Sequence, residues 1–91
     1  MPVVHDPVAH RFTLAVPSGT ARLLYAQAGA GIIEYYSTYV PTADRGQGLG
    51  GQLVEAAVEY ARAQGLRIIP SCWYVAQWLR KHPEHADLIF A

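Results

Sequence analysis

Residues 32–65, "IIEYYSTYVPTADRGQGLGGQLVEAAVEYARAQG", change character twice, and the order of the changes decides the fold. Ile32–Val40 is β-branched and aromatic, the strongest strand signal in the chain. Pro41 ends that run, and a loop leads to Arg45. From about Gln47 to Gln64 the period becomes helical, with Leu49, Leu53, Ala56 or Ala57, and Tyr60 on one stripe. Glu55, Glu59 and Arg62 lie away from it, and Gly65 stands where a helix ends in a left-handed glycine. Four glycines, Gly46, Gly48, Gly50 and Gly51, crowd the junction between strand and helix. A helix start with that much bare backbone needs a reason.

On the N-terminal side, Val3–His5 suits a short edge strand, broken by Asp6-Pro7. Arg11–Val16 alternates, with Phe12, Leu14 and Val16 on one face. "PSGT" is turn chemistry and Ala21–Gln27 a second strand, so the pair predicts an antiparallel hairpin. After the turn at Ala28–Gly31, the strand at Ile32 completes a meander. On the C-terminal side, Leu66–Ile69 is a short apolar strand. Strand, helix, strand predicts a right-handed crossover with parallel pairing. Pro70 and Ser71 offer a stop and a helix cap for a second helix over Cys72–His82, which Pro83 ends. The tail to Ala91 adds a helical turn or an edge segment. The expected fold is one mixed α/β domain over residues 1–91, ordered β-β-β-β-α-β-α.

Composition narrows the function. A chain of 91 residues with 52% hydrophobic and 15% charged residues folds, and it has room for one sheet and two or three helices. Zero formal net charge gives no electrostatic footprint for nucleic acid or an anionic membrane. Cys72 is the only cysteine, so no internal disulfide forms and a cytoplasmic location is expected. The N-terminal residues lack the pattern of a signal peptide, and no apolar run suits a membrane span.

Gly46-x-Gly48-x-x-Gly51 fits the Rossmann dinucleotide fingerprint in form. That fingerprint needs the first turn of a repeated βαβ unit and an acid about 20 residues on. Here the preceding strand closes an antiparallel meander, and Ser71 occupies the place of the acid. A P-loop needs Lys and Ser/Thr after its last glycine, and Gly51-Gln52-Leu53 lacks them. Two readings remain: an anion cradle at a helix N-terminus, or glycines that let the helix pack closely. Gly50 and Gly51 fall inside the first turn, where glycine costs about 0.5–1 kcal/mol, and Arg45 adds a positive charge at the entrance. Both features favour phosphate or pyrophosphate.

Arg45-Gly46-Gln47-Gly48-Leu49-Gly50 between such a strand and such a helix resembles the fingerprint of the GNAT superfamily of acetyl-CoA-dependent N-acetyltransferases. The match is nearest to a short one-domain branch. Val40-Pro41, the "RGQG" loop, Pro70-Ser71-Cys72 and Lys81-His82-Pro83-Glu84 follow that branch in order over roughly residues 11 to 88. The resemblance implies that the backbone N–H groups of Arg45, Gly46, Gln47, Gly48, Leu49 and Gly50 hold the pyrophosphate of coenzyme A. It implies that the central strand and the next one splay apart, with backbone groups of Tyr39 and Val40 serving the pantetheine or acetyl region. The acceptor is an unidentified amine, on a small molecule or a protein. Two departures stand out. Ser37-Thr38 replaces the His-Thr pair of many relatives, and the elements that usually wall the acceptor pocket are missing. The alternative is therefore a CoA-binding module that transfers little by itself or acts only with a partner.

Acetyl transfer needs a neutral amine, a polarised carbonyl and a protonated leaving thiolate. Cys72, in the first turn of a helix capped by Ser71, is a candidate nucleophile or cofactor contact, and equally a small core residue. By resemblance, Tyr74 on the same helix is a candidate acid for the thiolate, against a packing role. Alternation on the central strand puts Tyr35, Ser37 and Tyr39 on one face, and Tyr36 and Thr38 on the other. Glu34, the lone acid of that strand, suits a solvated position better than a base. His82-Pro83-Glu84-His85 lacks further ligands in sequence, so no metal is expected. The protein is expected as a monomer or homodimer.

Overall fold

The computed structural model describes residues 2–90. Its core is a five-stranded sheet: β1 (Val4–Asp6), β2 (Arg11–Val16), β3 (Gly19–Gly29), β4 (Ile32–Tyr39) and β5 (Arg67–Pro70), in that spatial order. The first four strands pair antiparallel and β5 joins β4 in parallel. A 3-10 turn at Thr42–Asp44 precedes α1 (Leu49–Ala63); α2 (Trp73–Arg80) follows β5, and a 3-10 segment spans Pro83–Leu88. The expected mixed α/β architecture, a meander followed by a β-α-β crossover and a helix, is the one found. Ile89 adds a parallel bridge beside Ile68, so the tail supplies both a helical turn and an edge segment.

Alternation places Phe12, Leu14 and Val16 of β2 and Ala21, Leu23 and Tyr25 of β3 on one face of the sheet. That face meets Leu53, Val54, Ala57, Val58 and Ala61 of α1 and Val75 and Leu79 of α2 in a single cluster. Tyr35 is fully buried there, and its hydroxyl donates to the Ala57 carbonyl at 2.7 Å, which removes an otherwise unpaired polar group from the core. The same burial pushes its phenol pKa far up.

Several local expectations are corrected. Helix α1 starts at Leu49 rather than Gln47, because Gly48 takes the left-handed cap position with φ 76°. The cap of α2 is Cys72, not Ser71, and α2 ends at Arg80 rather than His82. The Ser71 hydroxyl instead donates to the Glu34 carboxylate at 2.5 Å, a partner on a neighbouring strand that sequence does not reveal. Strand β3 runs longer than Ala21–Gln27.

The alternation expected along β4 also fails. Tyr25 pairs with Tyr35, whereas Leu24 pairs with Ser37, so Tyr36 is an extra residue in a β-bulge. Past the bulge the faces exchange. Thr38 now stands opposite buried Leu23 on the helix side, and Tyr39 stands opposite Arg22 on the open side. The Arg22 guanidinium lies 4.6 Å from the centre of the Tyr39 ring.

At the opposite end of the sheet, His5 stacks on Phe12 with centroids 4.5 Å apart, and its Nε2 lies 2.6 Å from the Tyr25 hydroxyl. Burial lowers the His5 pKa below 6.5, with Asp6 opposing and His10 adding to the shift. Below pH 6.5 the unfolded chain then binds the proton more readily than the folded one. The stabilisation is complete above that pH and is lost as pH falls through the folded value. Thermal denaturation between pH 7.5 and 5 is expected to show a fall in Tm that shrinks in His5→Phe.

Candidate functional site

The pairing of β4 with β5 ends at Tyr35 and Pro70, yet β4 continues to Tyr39. The Cys72 N–H closes the gap by donating to the Tyr35 carbonyl at 3.0 Å. Among the described residues β4 has no partner on the β5 side from Tyr36 onward, and a cleft of about 600 Å³ opens there. Thr38 and Val40 form its strand wall, Arg45, Gly46, Gly48, Leu49 and Gly50 its loop wall, and Trp73 and Tyr74 of α2 its far wall, with Asp44 at its base.

The loop wall is a row of donors. The N–H groups from Gly46 through Gly51 find no acceptor among the described residues; the next one, Gln52, bonds to the Gly48 carbonyl at 3.2 Å. Gly46 and Gly48 have φ of 85° and 76°, a conformation that costs a residue with a Cβ roughly 1–2 kcal/mol. Nothing lies within 4 Å of where a Cβ would project at either position, so their backbone geometry and not crowding requires glycine. Gly50 differs. A Cβ there would sit 2.8 Å from the Tyr74 hydroxyl. The two readings of the glycines therefore divide between positions: Gly46 and Gly48 bend the loop, and Gly50 lets Tyr74 lie against the first turn of α1. The N-terminal end of the helix dipole points its positive potential into the same space.

Two side chains fix the loop, and only one was legible beforehand. Arg45 Nε donates to the Val40 carbonyl at 2.9 Å, tying the entrance of the loop to the end of β4. This occupies the Val40 acceptor expected to be free. Asp44, which no motif marks, is 3% exposed. It accepts the Ser18 N–H at 3.0 Å and the Ser18 hydroxyl, so the β2–β3 turn holds the loop from below. The signal was an acid between Pro41 and Arg45, but its partner lies 26 residues away in sequence. Asp44→Ala is expected to destabilise the fold by about 1–2 kcal/mol in urea denaturation, since it removes two hydrogen bonds to a charged acceptor, and Asp44→Asn by less.

The expected site residues fall into three groups. Arg45, Gly46, Gly48, Leu49, Gly50, Val40 and Tyr74 come together around the cleft. Gln47 is exposed beside it, and the Tyr39 ring points to the opposite face, which leaves only its backbone near the splay. Cys72 is 7% exposed, with Sγ 3.4 Å from the Thr38 hydroxyl, and it does not line the cleft. Thr38 lines it in front of the sulfur. Among the described residues, no group of three or more His, Cys, Asp or Glu side chains converges as a metal site would require.

A donor row between a splayed strand and a helix is the arrangement implied by the "RGQGLG" segment, and residues 11–88 match the family described as GCN5-related N-acetyltransferase. The chain belongs to this family. It is 32% identical to Protein NATD1 of Bos taurus and 31% identical to Protein NATD1 of Homo sapiens, each over 83 residues. Each match covers 89% of this chain and 74% of the relative. The solution structure of a GCN5-like protein from Staphylococcus aureus superposes with a TM-score of 0.79 at 26% identity, covering 99% of this chain and 88% of that one. The protein is thus acetyltransferase-like in family and in fold. No helix among the described residues is long and apolar enough to cross a membrane.

Proposed function

We propose that this protein binds acetyl-CoA in the cleft and transfers the acetyl group to an amine in the cytoplasm. The observation that carries the reading is the run of acceptorless N–H groups from Gly46 to Gly51 at the opening of α1. Such a row at a helix N-terminus fits a pyrophosphate, and the cleft beside it continues along the unpaired end of β4. When bound, acetyl-CoA supplies the thioester. The residues from Gly46 to Gly51 hold the phosphates, and Arg45 adds positive charge at the entrance. The backbone of β4 from Tyr36 to Tyr39, which lacks a partner on the β5 side among the described residues, aligns the arm that bears the acetyl group, with Val40 at its end already tied to Arg45. The Tyr74 hydroxyl, which shares the cleft, would donate a proton to the sulfur as it leaves, and the proton released by the attacking amine would return to Tyr74 through solvent.

Cys72 is assigned the role of neighbour. Its burial behind Thr38 favours direct attack by the amine over acetylation of the sulfur. Release of free thiol from acetyl-CoA against a panel of small amines and peptides tests this. Turnover is expected, and Cys72→Ala is expected to keep it within about threefold, whereas a nucleophile's loss would cost several orders of magnitude. A second reading, a CoA-binding module without transfer of its own, is favoured by the open face of the sheet. Thr13, Arg22, Leu24 and Ile69 on that face are exposed or half-buried, and no helix among the described residues covers them. Calorimetric binding of acetyl-CoA without thiol release from any acceptor would establish it.

A further inference from the structure

We infer a second ligand site, at the end of the sheet opposite the glycine loop, that takes a small uncharged planar heterocycle. A concavity of about 330 Å³ opens there between the C-terminal end of α1 and the turn joining β1 to β2. That volume lies at the low end of small-molecule sites, roughly 300–1,000 Å³. Ile33 and Leu66 contribute apolar surface to it. Tyr25, Tyr60 and His10 are its aromatic and imidazole groups, and Gln27 and Gln64 bring two primary amides. No Asp, Glu, Lys or Arg lines it. A charged ligand would find no counter-ion; a flat neutral one finds the outward face of the exposed His10 imidazole, itself backed by the buried Tyr25 ring, and amides that both donate and accept.

Two features indicate a prepared surface. His10 is the only non-glycine residue with positive φ among the described residues, at 56°. A residue in that region persists where its surroundings hold it, and such residues gather at ligand sites. Here the His10 carbonyl accepts the Tyr25 N–H at 3.0 Å, and its ring lies nearly parallel to that of Tyr25, 14° apart at 5.3 Å. The Tyr25 hydroxyl is engaged by His5, which fixes the ring from behind. Meanwhile the side chains of His10, Gln27 and Gln64 make no hydrogen bond among the described residues. Rings are held and polar groups are left available, the combination that orients a ligand. The site shares no residue with the cleft of the glycine loop.

The test is a titration of the ¹⁵N-labelled full chain with nicotinamide and hypoxanthine, and with benzoate and benzylamine as charged counterparts. Saturable shifts are expected with at least one neutral probe at the amides of His10, Tyr25, Gln27 and Gln64. The charged probes should bind at least tenfold more weakly. Gln64→Met, at an exposed position, should keep the fold and lower the affinity at least tenfold. Gly48→Glu should leave the shifts unchanged, since it alters the other cleft. Absence of saturation by both neutral probes at 10 mM overturns the inference. So do shifts confined to the glycine loop, equal binding of charged probes, or an affinity indifferent to Gln64→Met.

Discussion

Gly48→Glu is expected to lower the affinity for acetyl-CoA at least about 100-fold in calorimetric titration, the largest binding effect of any single change in the loop. Two causes act together. Gly48 caps α1 in the left-handed region at φ 76°, where a side chain costs roughly 1–2 kcal/mol. The new carboxylate also stands among the N–H groups from Gly46 to Gly51, where it takes the place of the anion and repels a phosphate. Gly48→Ala separates the causes, since it keeps the strain and adds no charge. Both variants are expected to lose the same 1–2 kcal/mol of stability, about 4–16 °C in Tm for a domain of this size. Only the glutamate should abolish binding outright. Wild-type affinity in Gly48→Glu would mean that the phosphates lie elsewhere.

The same loop shows what a sequence can and cannot disclose. The transition at Pro41, the glycines and the helical stripe from Leu49 onward are local signals, and each element they predict is present. What escaped were features set by partners distant in sequence. Nothing in "IIEYYSTYV" marks Tyr36 as a bulge, because no glycine stands there and strict alternation remains plausible throughout. Yet that one residue turns Thr38 toward Cys72 and Tyr39 toward Arg22. Ser71 looks like a helix cap by residue type, but Glu34 on the adjacent strand claims its hydroxyl, and Cys72 takes the cap position without a side-chain bond. Asp44 became legible only once the β2–β3 turn was seen beneath it. The chemistry-bearing types were readable; which face they occupied was not.

Gly50 and Tyr74 form a pair in which one residue can be used to move the other. Tyr74→Phe keeps the ring against α1 and removes only the hydroxyl. If that hydroxyl protonates the departing sulfur, kcat should fall by about 10²-fold or more, with KM for acetyl-CoA nearly unchanged. Gly50→Ala keeps the hydroxyl but displaces it, because the added methyl would lie 2.8 Å from the oxygen and 3.0 Å from Cε2 and Cζ of the ring. The obstacle is the far end of a side chain, so the ring swings away while the backbone stays. Alanine in the first turn also suits the helix by up to about 1 kcal/mol over glycine, which offsets the cost of moving the ring. Stability in urea should therefore hold within about 1 kcal/mol while turnover falls nearly as far as in Tyr74→Phe. The double variant should be no slower than the poorer single one, because both changes remove the same proton donor. Full turnover in Tyr74→Phe would assign the ring to packing alone, and the proton would then reach the sulfur from solvent.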